Sequence, residues 1–271
     1  MFVVLLCISL GHALPSRDME KFRNPDVETA GAYREKSQQN PEELGNYFEG
    51  DILLPMGFKN ARNGIIALTS RWPGGVVPYD IDGDFTTHDL DKLNSAIKAY
   101  HKYTCVRFRP RIAEEDYIAF TSKTLGCYSY VGRLGGRQEL NLQSPDCLKK
   151  VGVPLHEMMH VLGFFHEQNR PERNSYVQVI SDNIKPGNMQ NFALYKPGIL
   201  TGFGVKYDYS SVMHYSATSF TKNGEPTIVA LHDTPESKLM GQREGFAAGD
   251  MRKINAMYKC KVRATSKIRR P

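Results

Sequence analysis

The chain of 271 residues predicts an α+β fold, and three observations carry that reading. Several short strand-like runs are present, only a few segments show helical spacing, and no internal repeat imposes the regular alternation of a doubly wound sheet. Apolar residues make up 41% of the chain, enough for a sizeable core. The ordered region opens at "RWPGGVVPYDID" (71–82), where proline and glycine punctuate a strand. "TTHDLDKLNSAIKAYHKYT" (86–104) then sets Leu90, Leu93, Ile97 and Tyr100 at helical spacing, with Thr86 or Thr87 available as the cap. "CVRFRPR" (105–111) and "DYIAFTS" (116–122) read as strands, as do "CYSYVG" (127–132) and "QELNLQ" (138–143) about a glycine-rich turn. Pro154 suits a first helical turn, so a second helix is expected from about Pro154 to Gly163.

The N-terminal run "MFVVLLCISLGHA" is too short to span a bilayer and carries Gly11 and Ala13 where a signal peptidase expects small residues. Residues 1–13 are therefore expected to be a secretory signal. No other stretch is apolar for long enough to cross a membrane. Removing the signal takes Cys7 with it and leaves Cys105, Cys127, Cys147 and Cys260, an even number that reads as two disulfides with three possible connectivities. No C-x-x-C pair is present, which argues against a cysteine-ligated zinc site.

Charge is uneven. Residues 14–62 carry seven Lys/Arg against nine Asp/Glu, so the net +6 of the whole chain becomes +8 over residues 63–271. Five cations follow the last cysteine, and residues 261–271 read as a basic tail suited to acidic surfaces. Secretion and the lack of a recognisable basic, aromatic-studded module argue against a nucleic-acid partner. Residues 14–62 are polar, without a sustained period, and do not suggest a core of their own. Two features mark this segment: Asp51 within "YFEGDILLP", and "KNARNG", a basic, small-residue stretch of the kind that trypsin-like proteases cut.

The chemistry concentrates in "HEMMHVLGFFHEQNR" (156–170). On a helix, His156 and His160 lie one turn apart on the same face and converge on one ion, with Glu157 placed to reach a water on that ion. Gly163 can adopt a left-handed conformation, end the helix and bring His166 back as a third ligand. Three neutral imidazoles with one open position are the arrangement of a catalytic zinc, not a structural one. A bare H-E-x-x-H arises by chance in a chain of this length about one time in a hundred, and the fixed glycine and third histidine make coincidence far rarer.

This segment, His156-Glu157-x-x-His160-x-x-Gly163-Phe164-x-His166-Glu167-x-x-Arg170, resembles the zinc signature of the astacin family of metzincin endopeptidases. "YSSVMHY" (209–215) matches the Met-turn, and "RWPGGVVPY", "GCYSYVGR" and "GQREGFAAGDMRKINAMYKC" match further landmarks in order. The resemblance implies a metzincin, zincin-like fold of two subdomains, with a mixed twisted sheet, a long active-site helix and one zinc in the cleft between them. It implies Met213 as the floor of the metal site and Tyr215 as a switchable zinc ligand that also stabilises the transition state. Cysteine spacing that fits the family implies Cys105–Cys260 and Cys127–Cys147 disulfides. "FEGD" matches the inhibitory prosegment motif, which makes residues 14–62 a prosegment and Asp51 a zinc ligand of the zymogen only. Cleavage after Arg62 by a trypsin-like or astacin-like protease would then release a catalytic domain over 63–260, with Asn63 as the new N-terminus and Glu167 as the partner of its ammonium. The family pattern Arg-x-Asp-Arg-Asp is here Arg170-Pro171-Glu172-Arg173-Asn174, a departure that touches local hydrogen bonding and no metal ligand.

The expected activity is therefore that of a secreted, monomeric zinc metalloendopeptidase of minimal form, acting on extracellular proteins or peptides, with zinc-activated water as nucleophile and Glu157 as general base. Tyr215 would help hold the oxyanion, and an extended substrate would add itself as a strand beside "CYSYVG". "MGQREGF" is expected to wall the primed-side pocket, with Arg243 favouring acidic side chains. The alternative is a secreted astacin-fold binding protein without activity. Such a protein would usually have lost the glutamate, a histidine or the cleavage site, and all are intact here.

Overall fold

Adding a strand to a sheet requires an open edge, and the strand order of this protein shows which edge is used. The computed structural model describes residues 40–55, 70–123, 125–196 and 201–261. The expected signal segment (1–13), the Arg62–Asn63 step and all but Lys261 of the basic tail lie outside the described residues. Six strands form one mixed sheet: β1 (Ile52–Leu53), β2 (Val76–Ile81), β3 (Arg107–Pro110), β4 (Tyr117–Thr121), β5 (Cys127–Tyr130) and β6 (Arg137–Leu142). They lie in the order β1-β5-β6-β4-β2-β3, with β5 antiparallel to β6 and every other pairing parallel. The expected strands are all found, and β1 is the addition. A two-residue strand has no readable period, so its pairing through Ile52–Ser129 and Leu53–Tyr130 leaves no trace in the sequence.

The first helix, α1 (Thr87–Tyr103), starts at Thr86, whose hydroxyl accepts the Asp89 amide while the Asp89 carboxylate accepts the Thr86 amide. Its buried face comprises Leu93, Ala96, Ile97 and Tyr100, and Leu90 sits at the margin, half-buried. The Tyr100 hydroxyl donates to the Leu155 carbonyl at 2.8 Å and so ties α1 to α2 (Gly152–Leu162). That helix begins two residues before Pro154, and proline remains in the first turn, where its missing N–H costs no hydrogen bond. A third helix, α3 (Ala248–Met257), and a small antiparallel pair, β7 (Val177–Val179) with β8 (Ile228–Ala230), complete the regular structure.

Two apolar clusters result. The larger packs the sheet against the helices through Trp72, Leu93, Phe108, Phe120, Leu140, Met158 and Ile254. The smaller gathers Val177, Phe192, Tyr207, Tyr215, Phe220 and Ile228. Residues 213–215 pass from one to the other, with Met213 in the first and Tyr215 in the second. Of the three connectivities, the structure forms Cys105–Cys260 and Cys127–Cys147. Among the described residues no helix is long and apolar enough to cross a membrane.

Replacing Tyr100 by Phe removes the buried hydrogen bond that ties α1 to the Leu155 carbonyl of α2. A loss of roughly 1–2 kcal/mol of unfolding free energy is expected in urea denaturation followed by circular dichroism.

Candidate metal centre

The residues singled out in 156–166 converge. His156 and His160 project from the same face of α2, and Gly163 ends that helix at φ 112°, ψ 18°. Its amide donates to the His160 carbonyl at 2.7 Å and the Phe164 amide donates to that of Met159 at 3.2 Å. This turn brings His166 alongside. The Nε2 atoms of His160 and His166 lie 3.1 and 3.3 Å from that of His156. Asp51 completes the group: one carboxylate oxygen is 2.9 Å from His156 Nε2 and 3.2 Å from His166 Nε2, and the other is 3.5 Å from His160 Nε2. All four side chains are buried.

The opposite ring nitrogens explain the orientation. Nδ1 of His156 donates to the Val212 carbonyl and Nδ1 of His160 to the Phe164 carbonyl, both at 2.7 Å, and Nδ1 of His166 meets the Glu49 carboxylate at 2.8 Å. A proton on each Nδ1 leaves each Nε2 with its lone pair aimed inward. Several inward lone pairs beside a carboxylate repel one another unless a cation sits among them. The spacings suit zinc, since tetrahedral bonds of about 2.0–2.1 Å set ligand atoms roughly 3.3 Å apart. The donor set of three imidazoles and one carboxylate also suits that ion.

Glu157 is fully buried, and neither carboxylate oxygen has a hydrogen-bond partner among the described residues. Burial first, and then the charges of Asp51 and Glu42, push its carboxyl well above the usual range, so its affinity for a proton is high. The Tyr215 hydroxyl donates to the Glu49 carbonyl at 2.6 Å and is thus engaged by the N-terminal segment. Glu49 also accepts the Tyr195 hydroxyl at 2.5 Å. Met213 is buried, and its carbonyl accepts the Glu167 amide at 2.9 Å, which joins the loop to the turn that follows His166.

Glu167 is 3% exposed, which rules out a surface role. Its carboxylate accepts from Lys253 at 2.6 Å, Arg170 at 2.7 Å and the Asp208 amide at 2.9 Å. A cavity of about 70 Å³ beside it is lined by Gly163, Phe203, Met213 and Lys253, among others. Glu172, one of the two departures from the family pattern alongside Asn174, accepts a hydrogen bond from Arg170, so an acid still answers that guanidinium. Arg243 is buried and its nearest charge belongs to this chain: Glu42 pairs with its guanidinium.

Reading the sequence missed Glu49, which stands two residues before Asp51 in the same motif, and that i, i+2 pair of acids was an available signal. It also missed Asp250, at the start of α3. The Asp250 carboxylate accepts the Ser211 hydroxyl at 2.5 Å and the Val212 amide at 2.9 Å, which fixes the carbonyl that orients His156. No local pattern announces a contact across 38 residues.

A family model described as Astacin, a peptidase family, matches residues 64–259. Zinc metalloproteinase nas-13 of Caenorhabditis elegans is 40% identical over 216 residues, covering 79% of this chain and 47% of its own length. Zinc metalloproteinase nas-4 of the same organism is 38% identical over 244 residues, covering 87% and 75%. The chain therefore spans about half of one of these relatives and three quarters of the other. Among solved structures, high choriolytic enzyme 1, a hatching enzyme zinc-protease from the medaka fish Oryzias latipes, superposes with a TM-score of 0.64 at 36% identity, over 70% of this chain and 94% of that one.

Asp250→Ala would take the acceptor from the Val212 amide and from the Ser211 hydroxyl proton and so loosen the backbone that carries the His156 acceptor. The variant is expected to lose roughly 2–4 kcal/mol of stability and about tenfold or more in zinc affinity, read by urea denaturation and by competition with a chromogenic chelator.

Proposed function

Because the chain belongs to the astacin family of peptidases, we propose that it is a secreted zinc endopeptidase, made in a latent form, that hydrolyses peptide bonds in extracellular proteins. The observation that carries the reading is the convergence of three imidazole Nε2 atoms beside a buried glutamate whose carboxylate has no hydrogen-bond partner among the described residues. His156, His160 and His166 would hold one zinc per chain. The ion supplies Lewis acidity, lowering the pKa of a water towards about 7 and polarising the scissile carbonyl. Glu157 takes a proton from the attacking water and delivers it to the departing amine. Its buried carboxylate, with neither oxygen engaged by another group among the described residues, is free to accept that proton and hand it on. The Tyr215 hydroxyl, freed from the Glu49 carbonyl, donates to the developing oxyanion, a contribution of typically a few kcal/mol.

Latency follows from Asp51 on the histidines and from β1 on the edge of β5, where an extended substrate would add itself. Residues 14–62 are then a prosegment after a signal at 1–13, and 63–260 the catalytic domain. Cutting after Arg62 removes the acid and opens the edge. The new ammonium of Asn63 would join Lys253 and Arg170 around Glu167, where the adjoining cavity gives it room. Loss of Glu42 leaves the buried Arg243 without its counter-charge, so an acidic substrate side chain on the primed side would restore the balance.

The test is hydrolysis of casein by the full chain before and after limited trypsin treatment. Activity that appears only with cleavage after Arg62, and disappears with a zinc chelator, is the expected result. Zinc-loaded, processed protein that cleaves no substrate would turn the reading towards an inactive binding protein. Glu157→Gln is expected to retain zinc by metal analysis and to lose about 10²–10⁴ in turnover. Arg243→Ala is expected to erase a preference for acidic primed-side residues in a peptide-library digest, and an unchanged profile would refute that assignment.

A further inference from the structure

Apart from the pairing of β1 with β5 and the packing of Tyr47 on Tyr128, the N-terminal segment makes its buried polar contacts with the rest of the chain at two places, and only one of them surrounds the metal centre. The other is the short turn at Pro41–Leu44, led by Asn40. Glu42 pairs with the Arg243 guanidinium, and neither side chain has any exposed surface. Glu43 accepts the Ser216 amide through one carboxylate oxygen and the Ser216 hydroxyl through the other, both at 2.6 Å. The Asn40 side-chain amide donates to the Gly241 carbonyl at 2.9 Å. Three polar contacts of the segment thus end on the loops around 214–216 and 241–243, and none of them touches a histidine of the metal centre.

These loops are built to receive carboxylates. One arm of Arg243 is committed to the carbonyls of His214 and Gln242, at 3.2 and 2.9 Å, so part of what holds the guanidinium is independent of the segment's acids. Its remaining nitrogen, Nη2, has no hydrogen-bond partner among the described residues and lies 3.9 Å from Glu43. Beside it, the Ser216 amide and hydroxyl aim at one carboxylate. A fixed guanidinium next to a paired amide and hydroxyl matches two neighbouring acids.

The stretch between the two anchors is pre-shaped. Tyr47 bridges to Gly50 and Phe48 to Ile52. Glu49 and Gly50 both take positive φ, 50° and 91°. A Cβ on Gly45 would lie 2.0 Å from the Gly50 carbonyl oxygen, so the fold-back closes only around glycine at that position. The Tyr47 ring packs on Tyr128 at 4.4 Å between centroids. A segment closed on itself in this way loses less freedom on binding than an open chain.

We propose that Asn40–Glu43 is a second, metal-independent anchor, and that residues 40–55, once excised, rebind the processed enzyme in trans as an acidic peptide ligand. This inference rests on the reading that residues 14–62 are a removable leader. Two anchors on one short peptide reinforce each other, because engagement of either raises the local concentration of the other. Removal of the leader would then be complete only when the anchored stretch is itself degraded or diluted.

The experiment is fluorescence anisotropy with a labelled peptide of residues 40–55 and the trypsin-processed, leader-free holoenzyme. Substitutions are made in the peptide, so none of them can unfold the enzyme. Glu42→Gln with Glu43→Gln is expected to weaken binding by at least about tenfold. Gly45→Ala is expected to weaken it through the clash with Gly50. Asp51→Asn should weaken binding to the holoenzyme, while chelator-treated enzyme, with its fold checked by circular dichroism, should still bind the unsubstituted peptide. Equal binding of the Glu42→Gln, Glu43→Gln peptide, or loss of all binding on chelation, would overturn the proposal. Casein hydrolysis by the same sample without peptide reads the peptidase assignment separately. An active enzyme indifferent to the peptide removes only the second anchor, and an inactive protein that binds it removes only the peptidase.

Discussion

Much of this structure depends on one constraint: imidazole nitrogens must be held about 3 Å apart with their lone pairs facing each other. Left to themselves the rings would turn away. Each is prevented from doing so by an acceptor on its far nitrogen, and the acceptors come from different parts of the chain. Phe164 lies in the turn after α2, Val212 in the 209–215 loop immediately before Met213, and Glu49 in the N-terminal segment. Other contacts hold those acceptors: the αL conformation at Gly163, Asp250 on the 211–212 backbone, and the Glu167–Met213 link between the third histidine's turn and the loop. Local chemistry at the centre thus sets requirements for α2, for α3 and for the passage between the two apolar clusters.

A second theme is the balance of buried charge. Glu42, Glu43, Glu49 and Asp51 are all buried, and each meets a cation, a hydroxyl, an amide or an imidazole on the catalytic side. Beneath the site, Glu167 is answered by Lys253 and Arg170. Buried charges of this kind contribute little net stability as pairs, but removing one partner is costly. The segment that covers the cleft therefore holds its place through complementarity. It cannot leave without presenting Arg243 and the histidines to whatever arrives next.

The three histidines of the candidate metal centre were legible because their geometry is local: i, i+4 on a helix, then a glycine turn and a return of three residues. Strands β2 to β6 and helix α1 were legible for the same reason, since a period of two or 3.6 is written into neighbouring residues. Met213 and Tyr215 carry no such mark and are assigned through resemblance alone. Asp250, Lys253 and the Glu42–Arg243 pair were beyond reach, because their partners lie 38, 86 and 201 residues away and no periodicity encodes such a distance. The sequence suggests Arg243 as a reader of acidic side chains, but its counter-charge in this state is the chain's own acid, and only the folded structure supplies that fact.

The bond between Cys105 and Cys260 has a topological consequence. It closes a covalent ring over a separation of 155 residues, and His156, Glu157, His160, His166 and Tyr215 all lie inside that ring. Asp51 and Arg62 lie outside it. A single hydrolytic nick within the ring leaves both fragments tethered, so the machinery stays in one covalent piece. A single nick between Asp51 and Cys105 instead detaches the covering strand. Where proteases attack one another, the same event is thus survivable in one region and releasing in the other, and the ring decides which part of the chain is expendable.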